Sequence, residues 1–353
     1  MMDKIKLMVI DDSVVFRTWL LKSLEKDPHF EIVGYAVDAF DAGKKIPVLK
    51  PDVLTLDIEM PRMSGLEFLR ELLPKHPIPV ILVSSLNIRV FDALSAGAVD
   101  FVRKPDMESN VRKDIFINTL SSKLQMASLA KVHVPSPMKP APAAAVRAAA
   151  VRTAVPPKLT AAGSDTLIAI GASTGGTEAI LEVLRQFPPS MPGVVITQHM
   201  PAGFTAMYAE RLNRLCKMEV REARHGDKVH PGLALLAPGG LQMRVVRMGS
   251  GYAVNCSPGE KVNGHCPSVD VLFDSVSTIA RDKAIGIILT GMGSDGAAGL
   301  LRMRKNGAYT IGQDRESCVV YGMPMEAHKI GAVCIQSPLS SIPNAVFNRL
   351  SKS

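Results

Sequence analysis

The sequence predicts two α/β domains, each built on a doubly wound parallel sheet, joined by an alanine- and proline-rich linker. Three observations carry the prediction. Across residues 1–127, apolar runs of strand length alternate with stretches of helical spacing. The same alternation resumes at residue 164. Between them, residues 128–163 hold six prolines, two runs of three alanines and no acidic residue. A chain of 353 residues also suits two domains at about 150 residues each.

In the first domain, Leu7-Met8-Val9-Ile10 reads as a buried strand ending on Asp11 and Asp12. Val14 to Glu25 has helical spacing, and Ile32-Val33 reads as a second strand. Val53-Leu54-Thr55-Leu56 is a third, ending on Asp57. A helix is expected over Leu66 to Leu73, and strands over Val80 to Ser84 and Val99 to Val102. Val111 to Met126 is a last helix running into the linker. There, Pro135, Pro137, Pro140, Pro142, Pro156 and Pro157 remove helix donors, and small residues bury little apolar area, so a semi-extended tether is expected. A short helix fits only within Ala143–Val151. The domains are therefore expected at 1–127 and 164–353, with the linker at 128–163.

The second domain opens with a strand at Leu167-Ile168-Ala169-Ile170, then Gly171-Ala172-Ser173-Thr174-Gly175-Gly176 and a helical pattern from Thr177 to Phe187. Val194-Val195-Ile196-Thr197 is a strand ending in Gln198-His199. Ile285 to Thr290 is a later buried strand, leading into Gly291-Met292-Gly293-Ser294-Asp295-Gly296.

Composition excludes several classes. No window approaches the roughly 18 uninterrupted apolar residues of a membrane span, and the N-terminus lacks a signal peptide's apolar core, so a cytoplasmic protein is expected. The five cysteines are odd in number and scattered, without a Cys-x-x-Cys pair, which argues against a disulfide framework or a structural zinc. Cys256, His265 and Cys266 are close in sequence but read as incidental. The net charge of +8 divides as −1 over 1–127, +5 over 128–163 and +4 over 164–353. A basic linker therefore explains most of the excess, and nucleic-acid binding is not required.

In doubly wound sheets the site lies beyond the carboxyl ends of the strands. Asp11, Asp12, Asp57, Ser84 and Lys104 all fall there. Three carboxylates in one crevice repel unless a cation sits among them, and a few hard oxygen ligands suit Mg²⁺. Lys104 and a hydroxyl would then serve a phosphoryl group carried by one aspartate. Singly, each residue would be an ordinary strand-end polar group; together they form a site.

These residues carry a resemblance. The motifs Ile10-Asp11-Asp12-Ser13, Leu56-Asp57 through Gly65, Val83-Ser84-Ser85 and Phe101-Val102-Arg103-Lys104-Pro105 are similar to those of response-regulator receiver domains. The resemblance implies a flavodoxin-like fold with Asp57 as phosphoacceptor. It implies Mg²⁺ held by Asp11, Asp12, Asp57 and the Glu59 carbonyl. Ser84 and Lys104 would contact the phosphoryl group, and Phe101 would be the switch aromatic.

In the second domain, Gly171–Gly176 has two readings. As a phosphate cradle it has Ser173 where close backbone approach favours glycine. As G-x-S-x-G it lifts a serine onto a strand-to-helix turn. A nucleophilic serine needs a base and an orienter, and His199 and Asp295 fall at ends of the same sheet. The order Ser…His…Asp differs from that of α/β-hydrolases, so their fold is not expected.

The stretches Ile170 to Ala179, Gln198 to Thr205 and Leu289 to Gly299 resemble the catalytic domain of CheB-type chemotaxis methylesterases, a Rossmann-like α/β domain. Ser294 stands where the family pattern suggests asparagine, and the linker is long. The resemblance implies Ser173 as nucleophile, His199 as base and Asp295 as its orienter, with the Met292 N–H as oxyanion donor. It implies hydrolysis of γ-glutamyl methyl esters on chemoreceptors, deamidation of receptor glutamines, and no catalytic metal. It also implies a chemotaxis histidine kinase as phosphodonor. The resemblance does not fix oligomeric state; a monomer is expected, and composition and charge argue against membrane insertion and nucleic-acid binding. Three rivals stay open: a DNA-binding regulator, a nucleotide-binding α/β domain using Gly171–Gly176, and a non-enzymatic scaffold.

Overall fold

The computed structural model describes residues 4–85, 89–130, 132 and 165–352; most of the linker, with the helix considered at 143–151, lies outside the described residues. The first domain runs β1 (Ile5–Ile10), α1 (Val14–Leu24), β2 (Phe30–Ala36), α2 (Ala39–Leu49), β3 (Val53–Leu56), α3 (Gly65–Leu72), β4 (Val80–Ser84), α4 (Arg89–Ser95), β5 (Asp100–Arg103) and α5 (Asn110–Ala127). Its sheet has the order β2-β1-β3-β4-β5, every pair parallel. Helix starts follow the sequence. Ser13, Asp38 and Ser109 each accept a backbone N–H of the first turn, and Ser64 with Glu67 closes a capping box. The spacing did not mark α2 or α4. α2 carries Pro47 within it, and α4 has only seven residues, so neither shows a long apolar period.

The chain reverses direction across the sheet between β1 and β3, whose last residues Ile10 and Leu56 are in register. That brings the Asp11-Asp12 end of β1 beside Asp57 after β3.

The second domain runs β6 (Leu167–Ala172), α6 (Gly176–Gln186), β7 (Gly193–Gln198), α7 (Phe204–Leu215), β8 (Glu219–Glu222), β9 (Lys228–Val229), β10 (Leu233–Leu236), β11 (Gln242–Met248) and β12 (Gly251–Ser257). It continues through α8 (Val269–Ile279), β13 (Ala284–Ile288), α9 (Ala297–Lys305), β14 (Tyr309–Gln313), α10 (Met323–Lys329), β15 (Ile335–Ser337) and α11 (Ile342–Leu350). Seven strands form a parallel sheet in the order β15-β14-β13-β6-β7-β10-β8. Its order reverses at β6, which lies between β7 and the later strand β13. Beside it stands a three-stranded antiparallel sheet, β11-β12-β9, which the parallel-sheet reading did not include. It joins the body of the domain through α8, where the Ser275 hydroxyl accepts the Val245 N–H at 2.9 Å.

The two domains pack through α4 and β5 of the first against α6 and α7 of the second. Phe91 stacks on Tyr208 with centroids 5.4 Å apart, and Phe101 lies 4.6 Å from Phe204. These rings belong to a buried cluster that runs through both domains. A polar rim flanks them: Ser95 donates to Glu178 at 3.1 Å, and Arg211 pairs with Glu178 at 3.1 Å and bonds Ser95.

Candidate active site

At the crossover of the seven-stranded sheet, three strand ends meet. Ser173 follows β6, His199 follows β7, and Asp295 lies in the loop after β13. The backbone holds the first two together: His199 N–H donates to the Ala172 carbonyl at 3.2 Å. The Gln198 amide donates to the carbonyl of Ser173 at 2.8 Å and, less closely, to that of His199 at 3.4 Å. Ser173 N–H donates to Thr290 O at 3.0 Å, tying the serine turn to the end of β13. The turn needs small residues. Gly175 begins α6 at φ 76°, and a Cβ there would lie 2.7 Å from Val319. A Cβ on Gly291 would come within 2.8 Å of the Ser173 Cβ.

His199 Nε2 lies 2.7 Å from Asp295 Oδ2, with both side chains almost wholly buried. An ionised carboxylate only accepts, so Nε2 carries the proton and Nδ1 keeps a lone pair. Nδ1 is buried and has no hydrogen-bond partner, and Ser173 and His199 share no hydrogen bond. Asp295 is held by a ring of donors: Ser268 Oγ at 2.8 Å, Asn263 Nδ2 at 2.9 Å, and the Val269 and Asp270 N–H groups at 2.7 and 3.2 Å. The last two open α8, so its N-terminal dipole faces the carboxylate. Burial alone would push the Asp295 carboxyl up. The bonds from His199, Asn263 and Ser268 outweigh it and hold the group well below the ordinary carboxylate range.

His265, set aside as incidental in the sequence, belongs to this site. Its ring stacks on His199 with centroids 3.6 Å apart and planes 9° apart. Burial first, and the neighbouring His199 second, bring it down to about 4, so it stays neutral near pH 7. The signal that would have found it is Asn263-Gly264, a turn pair that folds the chain back so that its next residue reaches the sheet end. Met292 is half-buried in the loop before Asp295, and no hydrogen bond among the described residues engages its N–H. A serine beside a helix N-terminus, an imidazole with a free lone pair and a buried carboxylate behind it can together perform acyl transfer.

The first domain covers this turn. Thr174, next to Ser173, donates its hydroxyl to Asp100 Oδ2 at 2.6 Å, and Asp100 also receives Lys123 Nζ at 2.6 Å. Ser173 and Thr174 are left 8% and 5% exposed.

A cluster of carboxylates lies at the strand ends of the first domain. Ligand atoms of Asp11, Asp12 and Asp57 lie within 4.8 Å of one another. Burial pushes the Asp11 and Asp57 carboxyls up despite Lys104. Lys104 Nζ bonds Asp57 at 2.6 Å and lies 2.8 Å from Asp11 Oδ2 as an ion pair not aligned as a hydrogen bond. A cluster of hard oxygens, two buried and the Asp12 group exposed, fits a divalent cation such as Mg²⁺. Glu59 is exposed, and its N–H donates to Asp57 Oδ1 at 3.2 Å. Ser84 is buried with no partner for its hydroxyl, and Phe101 faces the second domain rather than solvent.

Residues 168–346 match the family described as CheB methylesterase, and residues 7–116 match the response regulator receiver domain. A protein-glutamate methylesterase/protein-glutamine glutaminase 2 of Syntrophomonas wolfei subsp. wolfei is 53% identical over 349 residues, covering 99% of this chain and 98% of its own. A protein-glutamate methylesterase/protein-glutamine glutaminase of Syntrophotalea carbinolica is 49% identical over 360 residues, with 99% and 98% covered. The crystal structure of the Thermotoga maritima CheB methylesterase catalytic domain covers 52% of this chain and 98% of itself, at 33% identity and a TM-score of 0.51.

Proposed function

The chain belongs to the CheB methylesterase family with a response-regulator receiver domain, and from that premise we propose that it is a phosphorylation-activated protein-glutamate methylesterase and glutamine deamidase. The observation that carries the reading is the meeting of Ser173, His199 and Asp295 at one crossover, with the His199–Asp295 bond at 2.7 Å. Receiver at 1–127, linker at 128–163 and catalytic domain at 164–353 are the units of this proposal.

The substrate is the γ-methyl ester of a receptor glutamate. Ser173 Oγ attacks the ester carbonyl, and its proton passes to His199 Nδ1, the nitrogen that Asp295 leaves free. The new imidazolium is stabilised by the Asp295 carboxylate behind it. The Met292 N–H is the oxyanion donor; one such donor is worth about 10²–10³-fold in rate. The tetrahedral intermediate collapses, the C–O bond to methanol breaks, and His199 returns the proton to the leaving oxygen. Water, deprotonated by His199, then releases glutamate from the serine ester. A glutamine follows the same path with ammonia leaving. The rival nucleotide-loop and scaffold readings leave the His199–Asp295 pair without a task. A DNA-binding regulator is the weaker reading because the charge excess lies largely in the linker.

The receiver gates this site. Asp57 is the phosphoacceptor; Asp11, Asp12, Asp57 and the Glu59 carbonyl would hold Mg²⁺, which would supply charge neutralisation for phosphoryl oxygens. Ser84 and Lys104 receive the phosphoryl group; the unpartnered Ser84 hydroxyl supports that role. Phe101 is the element that responds, and its contact with Phe204 supports a route from Asp57 to the interface. In the arrangement described, the receiver sits on the Ser173 turn; phosphorylation shifts the population toward one that uncovers it. Chemoreceptors are the substrate and a chemotaxis histidine kinase the phosphodonor, which places the protein in the cytoplasm. No helix among the described residues is long and apolar enough to cross a membrane.

The test is methanol release from methylated receptor membranes with and without acetyl phosphate and Mg²⁺. Release should need Ser173 and rise with the phosphodonor. Release by a Ser173→Ala variant at the parent rate would end the catalytic assignment. An unstimulated parent would end the gating.

A further inference from the structure

We propose that Asn263 is a positioning residue of the reaction, its side-chain amide holding Asp295 against His199 by bridging Asp295 to Asp270. The inference deepens the esterase reading and rests on it.

The bridge is built by a tight hairpin. Val262 and His265 exchange backbone hydrogen bonds at 3.0 and 2.9 Å. Between them Asn263 and Gly264 have φ 52° and 82°, the two positive values that a two-residue type I′ turn requires. Asn263 is exposed as a residue, yet its amide reaches two buried carboxylates. An amide nitrogen has two hydrogens, and here each has its own acceptor: Asp270 Oδ2 at 2.7 Å and Asp295 Oδ1 at 2.9 Å. The same hairpin sets His265 on the His199 ring at 3.6 Å. One turn therefore grips both members of the base pair.

Asp270 makes the bridge necessary. It is 7% exposed, lies in the first turn of α8, and its backbone N–H already reaches Asp295. Its Oδ1 accepts the Gly299 N–H at 2.6 Å. Burial, with Asp295 close by, pushes its carboxyl up. Without the amide, two desolvated carboxyl groups face each other with no donor between Asp270 Oδ2 and Asp295 Oδ1. A proton taken up there makes Asp295 a poorer partner for the imidazolium at His199. The charged and titratable groups around the pair are His199 at the end of β7, Lys261 and His265 on the hairpin, Asp270 on α8, and Lys123 on the receiver's α5.

The experiment uses the full chain with acetyl phosphate and Mg²⁺, assayed for methanol release across pH. Asn263→Gly keeps the positive φ and removes the donor. Its kcat should fall about tenfold to a hundredfold with KM within about twofold. The low-field proton signal of the His199–Asp295 hydrogen bond should shift or vanish. Asn263→Asp puts a third carboxyl between the two, which donates only when protonated. Its kcat/KM relative to the parent should rise as pH falls from about 8 to about 6. A purely structural role would leave that ratio flat. Parent-like kcat and an unmoved proton signal in Asn263→Gly, or a flat ratio in Asn263→Asp, would overturn the inference. A Ser173→Ala control separates the two claims. If it retains parent activity, the esterase reading itself has failed.

Discussion

Replacing Asp100 with alanine should switch the enzyme on without phosphorylation. The Asp100 carboxylate accepts three hydrogen bonds, from Phe101 N–H at 2.7 Å, Lys123 and Thr174, and only the last distinguishes the covered arrangement from an uncovered one. Lys123 Nζ at 2.6 Å comes from the same domain and persists in either. Thr174 Oγ1 at 2.6 Å crosses to the residue beside Ser173 and is lost when the domains part. A hydrogen bond to a charged acceptor contributes about 1.5–3 kcal/mol net. At about 1.4 kcal/mol per factor of ten, its removal moves the covered-to-uncovered ratio by roughly 10- to 150-fold. The aromatic contacts Phe91–Tyr208 and Phe101–Phe204 remain, so the domains should still associate. The assay is the initial rate of methanol release without phosphodonor. It should rise about tenfold or more, while the rate with acetyl phosphate and Mg²⁺ stays within about twofold of the parent. Lys123→Ala, which keeps the Thr174 contact, should raise the basal rate less. An Asp100→Ala enzyme with parent basal rate and parent stimulation would refute the reasoning, because the contact would then carry no part of the closure.

Other outcomes follow from the same contacts. Asp57→Asn should abolish phosphodonor stimulation and keep basal methanol release; stimulation that persists would remove Asp57 as acceptor. His265 is held near 4 against an ordinary value of 6.5, so the unfolded chain binds the extra proton first as pH falls. Stability is lost between about pH 6.5 and about pH 4, by at most about 3 kcal/mol, and is unaffected above that window. His265→Phe should flatten the acid side of the urea-midpoint curve by that amount, and an unchanged curve would contradict the assignment. Mg²⁺ should raise the receiver's thermal midpoint by relieving the crowding of Asp11, Asp12 and Asp57, and Asp12→Ala should cut that gain; equal gains in both proteins would place the ion elsewhere.

Much of this was legible in the residues alone. The strands of both sheets are short apolar runs whose ends carry Asp11, Asp57, Ser84, Ser173 and His199. A parallel sheet sends every strand's carboxyl end to the same edge, so strand prediction alone gathers the polar residues there. The glycines around Ser173, the capped helix starts and the Ala/Pro stretch are local signals, legible because a turn, a cap or a proline acts within a few residues. In the antiparallel sheet, β11 and β12 form a local hairpin across Gly249-Ser250 that the parallel-sheet reading passed over, whereas β9 has two residues and pairs with a partner more than twenty positions away.

The finer chemistry comes from packing. Which imidazole nitrogen of His199 faces Asp295 depends on ring orientation, which no spacing encodes. His265 over His199, Asn263 between Asp270 and Asp295, and Asp100 beneath Thr174 join residues that lie 66, 7, 32 and 74 positions apart. Such pairs are chosen by how helices and sheets pack, because a hydrogen bond is made or lost within a few tenths of an ångström. Apolar runs and turn signals along the chain specify the two parallel sheets and the residue types at their edges. Packing determined which of those residues touch, and through them what closes the site.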